Sequence, residues 1–553
     1  MRDGTSDWIL GLNHGSHDAA CALIHRGRLV AYIEQERLSR RKRAPGDSPA
    51  QAVNACLEIA GITIGDISAI ALGSDHDALA RWLGLSQSEK EELLPYSNPA
   101  FLLGELYDPR TVPPIVSIPH HLAHAASCYW PSGFGSAAIL VLDAMGDSSA
   151  GLTALGTPDG IEAIGSVPID VSLGFFYEAA GIYTGLGKNS AGKVMGLAAY
   201  GRVPYSTPLQ RKDSKIGWEG IPPIAGAIGR DLILRRTEAL LQHYEKTAYP
   251  FSIGDGSEPL VYADFAAGVQ RDLEECILDL LSDLRRTTGV DSLAMAGGVA
   301  LNCACNGRIC DAGIFSHVYI QPASHDGGVA IGAAMFLAHE SGMHPMPMES
   351  VYVGREEPDY VIEEAIRESG LHYERLGFEL LPLKSASVLA EGAIVAWHQG
   401  RSEAGPRALG GRSLLGDPRS RSNVARINSV KGREIWRPFA PVVIDRVFDE
   451  FFEGTPNPYM LVASRVRLDR QRDIPAIVHV DGTARPQVVS ESQHPLVYAL
   501  LTEFERKTGI GILINTSLNT ESEPIADSIR DTLDIFRRCD IDFAAAGPFL
   551  VSR

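Results

Sequence analysis

Arginine and glycine crowd one stretch of this chain in a pattern suited to holding an anion. The run His398-Gln-Gly-Arg-Ser-Glu-Ala-Gly-Pro-Arg-Ala-Leu-Gly410 is followed by Arg437-Pro-Phe-Ala-Pro441, and residues 398–437 carry eight Arg and one Lys against three acidic residues. The whole chain has a net charge of −18, so the sign is locally inverted. Guanidinium forks match phosphate oxygens bidentately, and glycines let the backbone close on an anion. Capture of a compact phosphorylated ligand is the chemistry this suits. A solvated basic face or an ion-pair network is the plainer alternative, but an exposed helix would not space its arginines with Gly-Pro and Arg-Pro breaks.

A second constellation lies in the first half. His120 and His124 stand four apart in a helix-like stretch, so both imidazoles share one face while His121 points elsewhere. A zincin would need glutamate directly after the first histidine; His121 is there instead, which argues against hydrolytic zinc chemistry. A buried, hydrogen-bonded pair of histidines is the alternative to a metal site. Asp143 at the end of an apolar strand and Asp326 in an Asp-Gly-Gly turn extend the set. Two imidazoles and two carboxylates suit Fe²⁺, Mn²⁺ or Zn²⁺, with positions left for a phosphate.

Glycine turns follow apolar strands at Gly297-Gly298, where a flat adenine or ribose could pass the backbone, and at Gly327-Gly328, which opens an apolar helix whose amides favour an anion. Lys193-Val-Met-Gly-Leu-Ala-Ala-Tyr-Gly201 and Glu36-Arg37-Leu-Ser-Arg-Arg-Lys42 each set cations beside a turn. They read as phosphate clamps or as exposed basic helix ends.

The elements that must position these groups repeat. Trp8–Asn13 reads as a strand, then a Gly15-Ser-His-Asp turn, a strand over 21–25, the Arg26-Gly27 turn, and a strand over 29–34. Residues 137–142 read as a strand, then Asp143-Ala-Met-Gly-Asp-Ser-Ser149, a strand over 151–155, the Asp159-Gly160 turn, and a strand over 161–167. Such a duplicated hairpin with Asp and Gly in its first turn suggests a two-lobed nucleotide-binding fold. Helices are expected over 48–60, 265–288 and 329–339, with buried strands at 292–296 and 318–321. A Pro- and Met-rich stretch follows Gly342, and a fresh α/β alternation begins near residue 375. The expected division is a domain over 1–345, a linker over 346–374 and a domain over 375–553.

At 553 residues the chain exceeds one core, and 45% hydrophobic content with 55 Gly and 33 Pro describes a soluble α/β protein. Its eight cysteines form no CxxC pair, which reads as reduced thiols in a cytoplasmic setting. No apolar run reads as a signal core or a bilayer span. An acidic total disfavours nucleic acid as a partner.

Taken together the ordered motifs resemble the O-carbamoyltransferases of antibiotic and nodulation-factor biosynthesis. They are His17-Asp18-Ala-Ala, Glu36-Arg37, His120-His-Leu-Ala-His124-Ala, Lys193–Gly201, Gly297-Gly-Val-Ala-Leu-Asn302, Asp326-Gly-Gly, Gly400–Gly410, Arg437–Pro441 and Asn515-Thr-Ser-Leu-Asn519, and they cover nearly the whole chain. The resemblance implies an N-terminal actin-like (ASKHA) domain and a C-terminal YrdC-like domain. The latter would turn carbamoyl phosphate and ATP (with Mg²⁺) into carbamoyl-adenylate, and the metal-containing former would pass the carbamoyl group to a hydroxyl of a small-molecule natural product. It also implies site roles. Arg407, Lys431, Arg437, Arg485, Asn515 and Ser517 would cradle carbamoyl phosphate. His120, His124, Asp143 and Asp326 would hold the metal, Fe²⁺ first among the candidates. His17 would be general base toward the acceptor hydroxyl, Lys42 and Lys193 would meet phosphate, and Gly297, Gly298 and Asn302 the nucleoside. Two departures stand out: Ala404 where the family often has an aromatic, and His325 before Asp326, either an extra ligand or a surface side chain.

Rival readings are an actin-fold small-molecule kinase, a carbamoyl or threonylcarbamoyl transferase acting on a macromolecule, and a non-catalytic filament protein. The kinase would not need the arginine-rich half, and the negative total charge opposes an RNA substrate. Hydrogenase-maturation carbamoyltransferases carry an acylphosphatase-like, Cys-rich segment that is absent here. The acceptor, and whether the chain forms a homodimer, are open; acceptor specificity is expected in the 75–115 and 203–230 stretches.

Overall fold

A computed structural model describes residues 7–14, 17–93, 95–202, 204–212, 215–221, 229–247 and 252–553. The chain divides into two units. The first ends at Gln35, resumes at Pro45 and runs to Glu349; the second takes in Glu36–Ala44 and Ser350–Arg553.

The first unit contains two five-stranded sheets of one design. In one, Trp8–Asn13 pairs antiparallel with Ala20–His25, which pairs antiparallel with Arg28–Glu34, while Ile67–Leu72 and Ile115–Ser117 add in parallel on the other side. In the other, Ala137–Gly146, Ser149–Thr157 and Gly160–Val167 form the same antiparallel run, and Ser292–Ala296 and His317–Ile320 add in parallel. The expected duplication is therefore a repeat of strand order, three-two-one-four-five in each sheet. This is the architecture of a two-lobed actin-like domain.

Two helices bring the first unit's chemistry together. His120–Ser132 and Val329–Glu340 pack on each other. A Cβ on Gly332 would sit 1.7 Å from the Ala123 carbonyl oxygen, so only glycine permits so close an approach. Val329–Glu340 is apolar nearly all round and buried, as a helix between layers must be. The turn that opens it, Asp326–Gly328, thereby lies beside the first turns of His120–Ser132.

The second unit is built on an eight-stranded mixed sheet in the order His372–Arg375, Phe549–Ser552, Phe543–Ala546, Val395–His398, Arg412–Gly416, Ile512–Ser517, Ala440–Ile444, Gln487–Val489. Its core gathers Trp397, Phe448, Phe504, Phe536 and Phe549 with many Ile, Leu and Val. Here the expected linker is corrected. Residues 350–374 carry the helix Asp359–Ser369, with Ile362, Ala365 and Ile366 buried, and lead into the edge strand His372–Arg375. The boundary falls after Glu349, because the helix's apolar face needs this core and not a solvated spacer. Among the described residues no helix is long and apolar enough to cross a membrane, and all eight cysteines are unpaired.

Candidate functional site

His120 is the first residue of the helix His120–Ser132 and His124 lies one turn on. Asp143 sits where the pairing of Ala137–Gly146 shifts register after Leu142, a bulge that turns a side chain out of the ladder. The four groups converge: His120 Nε2 lies 3.6 Å from Asp143 Oδ2 and 3.9 Å from Asp326 Oδ1, and His124 Nε2 lies 3.5 and 3.7 Å from the same atoms. These are not hydrogen bonds. His120 Nε2, His124 Nε2 and Asp143 Oδ2 are buried without a hydrogen-bond partner, a costly arrangement unless a cation stands among them. Two atoms each about 2.1 Å from one ion stand about 3.4 Å apart at the tetrahedral angle, so the donor set fits a divalent metal.

The electrostatics agree. Burial pushes the His120 imidazolium down, yet Asp143 and Asp326 outweigh it and hold its pKa up at about 9. Burial likewise raises the Asp143 carboxyl, but His120 and His124 hold it well below the usual carboxylate range. His121 is different. Burial first and His120 next keep it well below an ordinary histidine, and its Nδ1 lies 2.8 Å from the Ser149 hydroxyl, so it belongs to the scaffold.

Asp147 and Gly146 escaped the sequence reading. Asp147 adopts φ 50°, a left-handed conformation that asparagine and aspartate tolerate. Its Oδ2 accepts the His120 N–H at 2.8 Å, and its Oδ1 accepts the Ser74 hydroxyl at 2.7 Å and the Asp75 N–H at 3.0 Å. It thus pins the start of the His120 helix. A Cβ on Gly146 would lie 2.1 Å from His120 Cδ2. Gly146→Ala is therefore expected to rotate the His120 ring off the cluster and weaken metal binding roughly 10- to 100-fold. Titration of the apoprotein with Mn²⁺ would read this; affinity equal to the parent protein's would refute it.

His17 is half-exposed beside this set. Its Nδ1 lies 2.9 Å from Asp18 Oδ2 and 3.6 Å from Asp326 Oδ2. Asp18, buried at 9% exposure and at φ 56°, is fixed in part by the Asn13 amide donating to its carbonyl at 2.9 Å. A carboxylate on Nδ1 selects the tautomer that leaves Nε2 basic. The same three groups could also meet a cation. His325 pairs at 2.9 Å with Glu34, which also accepts the Tyr32 hydroxyl at 3.2 Å. His325 is thereby half-buried and paired with a buried carboxylate.

Gly297, at φ 89°, lies against the strand that carries Asp143: a Cβ there would fall 2.2 Å from the Leu142 carbonyl oxygen, and one on Gly298 3.0 Å from Asp143 Oδ1. Asn302 caps the helix Cys303–Ala312 by accepting from Cys305 N–H at 3.0 Å and exchanges hydrogen bonds with Gln270 at 2.9 and 3.1 Å. Its amide is thus committed to scaffold. Lys193 is half-buried on the helix Ala191–Ala198. Of the expected acceptor-selecting stretches, residues 94, 203, 213–214 and 222–228 lie outside the described residues.

In the second unit the arginine run resolves into two kinds. Arg412 is wholly buried and donates to five carbonyls, those of Asp527, Gln399, Gly400, Gly411 and Arg355. Arg401 holds Gly354 and Val353 carbonyls, Arg419 pairs with Asp417, Arg426 with Asp542, and Arg421 is exposed. Buried Glu403 binds the loop together, accepting N–H groups of Leu409, Gly411 and Arg412 at 2.5, 3.2 and 3.3 Å. Ala404 beside it is 3% exposed. The charge inversion is thus partly architectural; Lys431, Arg433 and Arg437 lie close enough to press on one another's charge, and Arg407 is half-buried in the loop.

Lys431 is buried, and its Nζ donates to Ser517 O at 2.6 Å, Ser517 Oγ at 3.0 Å and Asn519 Oδ1. All three ammonium protons are engaged, so Lys431 supplies charge and holds Ser517 and Asn519 more than it offers a free donor. Burial, then Arg433, Lys42 and Arg437, press its pKa well below the ordinary lysine value. Arg433 lies over the Phe439 ring at 4.1 Å and donates to the Arg437 and Pro438 carbonyls at 3.2 and 2.7 Å. Burial, Arg437 and Arg485 bring its pKa down to about 9. Arg485 reaches Met460 Sδ at 3.7 Å, and Arg437 stands 3.5 Å from Glu434. Asn515 donates to Ala408 O at 3.1 Å and to Gln487 at 2.8 Å, leaving Oδ1 buried and unpaired. So many cations repel one another unless a dense anion joins them. Lys42, from the first fifty residues of the chain, is among them.

Comparison with known proteins adds the following. Residues 8–335 match the family model described as carbamoyltransferase N-terminus, and residues 386–553 the one described as carbamoyltransferase C-terminus. Nodulation protein NolNO of Sinorhizobium fredii (strain NBRC 101917 / NGR234) is 35% identical over 97% of this chain and 79% of its own length. Nodulation protein NolO of Bradyrhizobium diazoefficiens is 37% identical over 78% of each chain. Among solved structures, HypF of T. kodakarensis aligns with 61% of this chain and 48% of its own at 12% identity and a TM-score of 0.36, a likeness too loose to carry an argument.

Proposed function

The chain belongs to the carbamoyltransferase family, and from that premise we propose that it is an ATP-dependent O-carbamoyltransferase with its two half-reactions divided between the units. In the second unit, carbamoyl phosphate, water and ATP would give carbamoyl-adenylate, phosphate and pyrophosphate. In the first, a hydroxyl of a small-molecule acceptor would attack the carbamoyl carbon and AMP would leave. The observation that carries this reading is the cation cluster of Lys42, Lys431, Arg433, Arg437 and Arg485, whose mutual repulsion calls for a small, densely charged anion. We take the second unit as YrdC-like on the same grounds, and the setting as cytoplasmic.

Each residue then has a task. Arg407 and Arg437 would fork onto phosphate oxygens, Lys431 would supply charge beneath them, and Asn515 Oδ1 would accept from the carbamoyl NH₂. In the first unit, Nε2 of His17 would take the acceptor's proton while Asp18 holds Nδ1. A divalent ion held by His120, His124, Asp143 and Asp326 would supply Lewis acidity toward the adenylate phosphate. Gly297 and Gly298 would let the nucleoside pass close to the backbone, with Lys193 available to phosphate.

The test is a product analysis. Pyrophosphate release that needs carbamoyl phosphate and ATP together, with an acceptor mass gain of one HNCO across a panel of hydroxylated glycosides and macrocycles, is the expected result. ADP release with a phosphorylated acceptor would replace this reading by the kinase. A pH dependence follows from Lys431. Its ammonium is lost at lower pH than an exposed lysine's, so the KM for carbamoyl phosphate should climb as pH rises through that depressed value. Bound phosphate opposes the loss, so binding there takes up a proton. A KM that does not rise at any pH below the ordinary lysine range would count against the assignment.

A further inference from the structure

The sequence reading left Glu36-Arg37-Leu-Ser-Arg-Arg-Lys42 as either a phosphate clamp or an exposed basic helix end. The structure gives the segment a further role. Residues 36–44 leave the first unit and are counted with the second, where their side chains grip backbone. Arg37 is 4% exposed and donates through Nη2 to the Gly405 carbonyl at 2.8 Å. Gly405 stands at φ 94°, two residues before Arg407. Arg40 donates to the Ile525 and Pro524 carbonyls at 2.7 and 2.9 Å and lies 3.4 Å from Asp531. Lys42 donates to the Glu521 carbonyl at 2.9 Å.

The segment therefore ties together two loops that local sequence keeps over a hundred residues apart. One is Gly400–Gly410, which bears Arg407. The other, residues 519–525, follows directly on Ser517 and begins with Asn519, both bonded to Lys431. A second observation points the same way. Arg40, Arg43 and Ala44 all adopt positive φ, at 56°, 63° and 43°, and the Arg43 N–H closes onto Glu36 Oε2 at 2.5 Å. Non-glycine residues in that region cost free energy and persist where surroundings over-determine them. Such a conformation is not that of an idle connection between strands.

We propose that Glu36–Ala44 is a strap that sets the two anion-binding loops of the second unit in register, with Arg37 and Arg40 as positioning residues and Lys42 as its direct contribution to the phosphate cradle. This rests on the reading of the second unit as the activating half. The strap makes that half non-contiguous: part of the carbamoyl-phosphate site is encoded between Gln35 and Pro45, inside the sequence of the first unit. Removing Arg37 frees the Gly405 carbonyl and lets Arg407 drift, and displacements of about 1 Å cost up to roughly 10²-fold in a positioned reaction.

The experiment uses the full chain with Arg37→Ala, Arg37→Lys and Arg40→Ala. Two readouts are taken: pyrophosphate formation against carbamoyl phosphate concentration, and hydrogen exchange of the amides over 403–412 and 517–526. Arg37→Ala should raise the KM for carbamoyl phosphate about 10- to 100-fold, with Arg37→Lys recovering part of the loss. Exchange should quicken in the 403–412 loop for Arg37→Ala and in the 517–526 loop for Arg40→Ala. Transfer from pre-made carbamoyl-adenylate should keep the parent rate. The strap is refuted if exchange in both loops matches the parent protein, or if the alanine variants lose adenylate transfer and pyrophosphate formation by one common factor. Failure of the parent itself to make pyrophosphate would instead sink the two-station reading, and the exchange data would still decide the strap. Should Arg37→Ala not fold, Arg37→Lys and Arg40→Ala carry the same comparison.

Discussion

Replacing His120 with alanine is expected to take bound divalent metal from near one per chain to background and to cut transfer from carbamoyl-adenylate by about 10²-fold or more, while pyrophosphate formation continues. The geometry makes the split sharp. The His120 ring contributes no hydrogen bond through Nε2, which is buried and unpaired among Asp143 and Asp326. The helix it begins is held by backbone through Asp147, a contact that alanine keeps. The variant should therefore fold, and the loss should fall on the ion. Elemental analysis of the purified variant decides the first half of the expectation: metal content equal to the parent protein's would strike His120 from the ligand set. Loss of pyrophosphate formation to the same degree would show that the two half-reactions are not separately housed.

The converse is expected of Arg407→Ala. Removing one guanidinium fork from a desolvated phosphate costs about 3 kcal/mol, roughly 10²-fold, and it should appear in pyrophosphate formation alone. Transfer from pre-made carbamoyl-adenylate should proceed at the parent rate. Arg407 suits this test because its neighbours in the run do not. Arg412→Ala would orphan five carbonyls and damage the sheet, so its effect on turnover would say nothing about substrate. If Arg407→Ala impaired both half-reactions equally in a folded protein, the assignment of the loop to carbamoyl phosphate would fail.

The features legible in the sequence were those that local pattern encodes. HxxxH fixes two imidazoles on one helical face, and an Asp closing an apolar strand or opening a Gly-Gly turn points out of regular structure. The four groups converge in the fold as that pattern implies. The repeated hairpin likewise announced a duplication, and the shared strand order of both sheets supplied its meaning. Contacts between distant segments left no such trace. Nothing around Arg37 says that its partner is Gly405, and nothing in the arginine run marks Arg412 as the one that holds five carbonyls. Asp147 was in view inside a motif already noted, but its φ of 50° and three accepted hydrogen bonds depend on tertiary placement. The stretch 346–374 misled because proline and methionine at its start mask the amphipathic period of Asp359–Ser369, and because an edge strand of four residues carries little alternation.

The strand order of the second unit bears on how the protein comes off the ribosome. Phe543–Ala546 and Phe549–Ser552 lie between His372–Arg375 and Val395–His398, so two strands made early must wait for a pair made well over a hundred residues later. The segment 36–44 waits longer still, since the carbonyls it grips reach Ile525. At about 5–20 residues per second, roughly 500 residues of synthesis take on the order of 25–100 s. Once Glu349 has been made the first unit has all its own strands, yet the basic segment near its start still lacks the carbonyls it grips. Nascent chains should therefore show an early protease-resistant first unit with cleavage persisting near residues 36–44. That site should close only when the last sheet strands emerge, because the pairing of the second unit is long-range and slow.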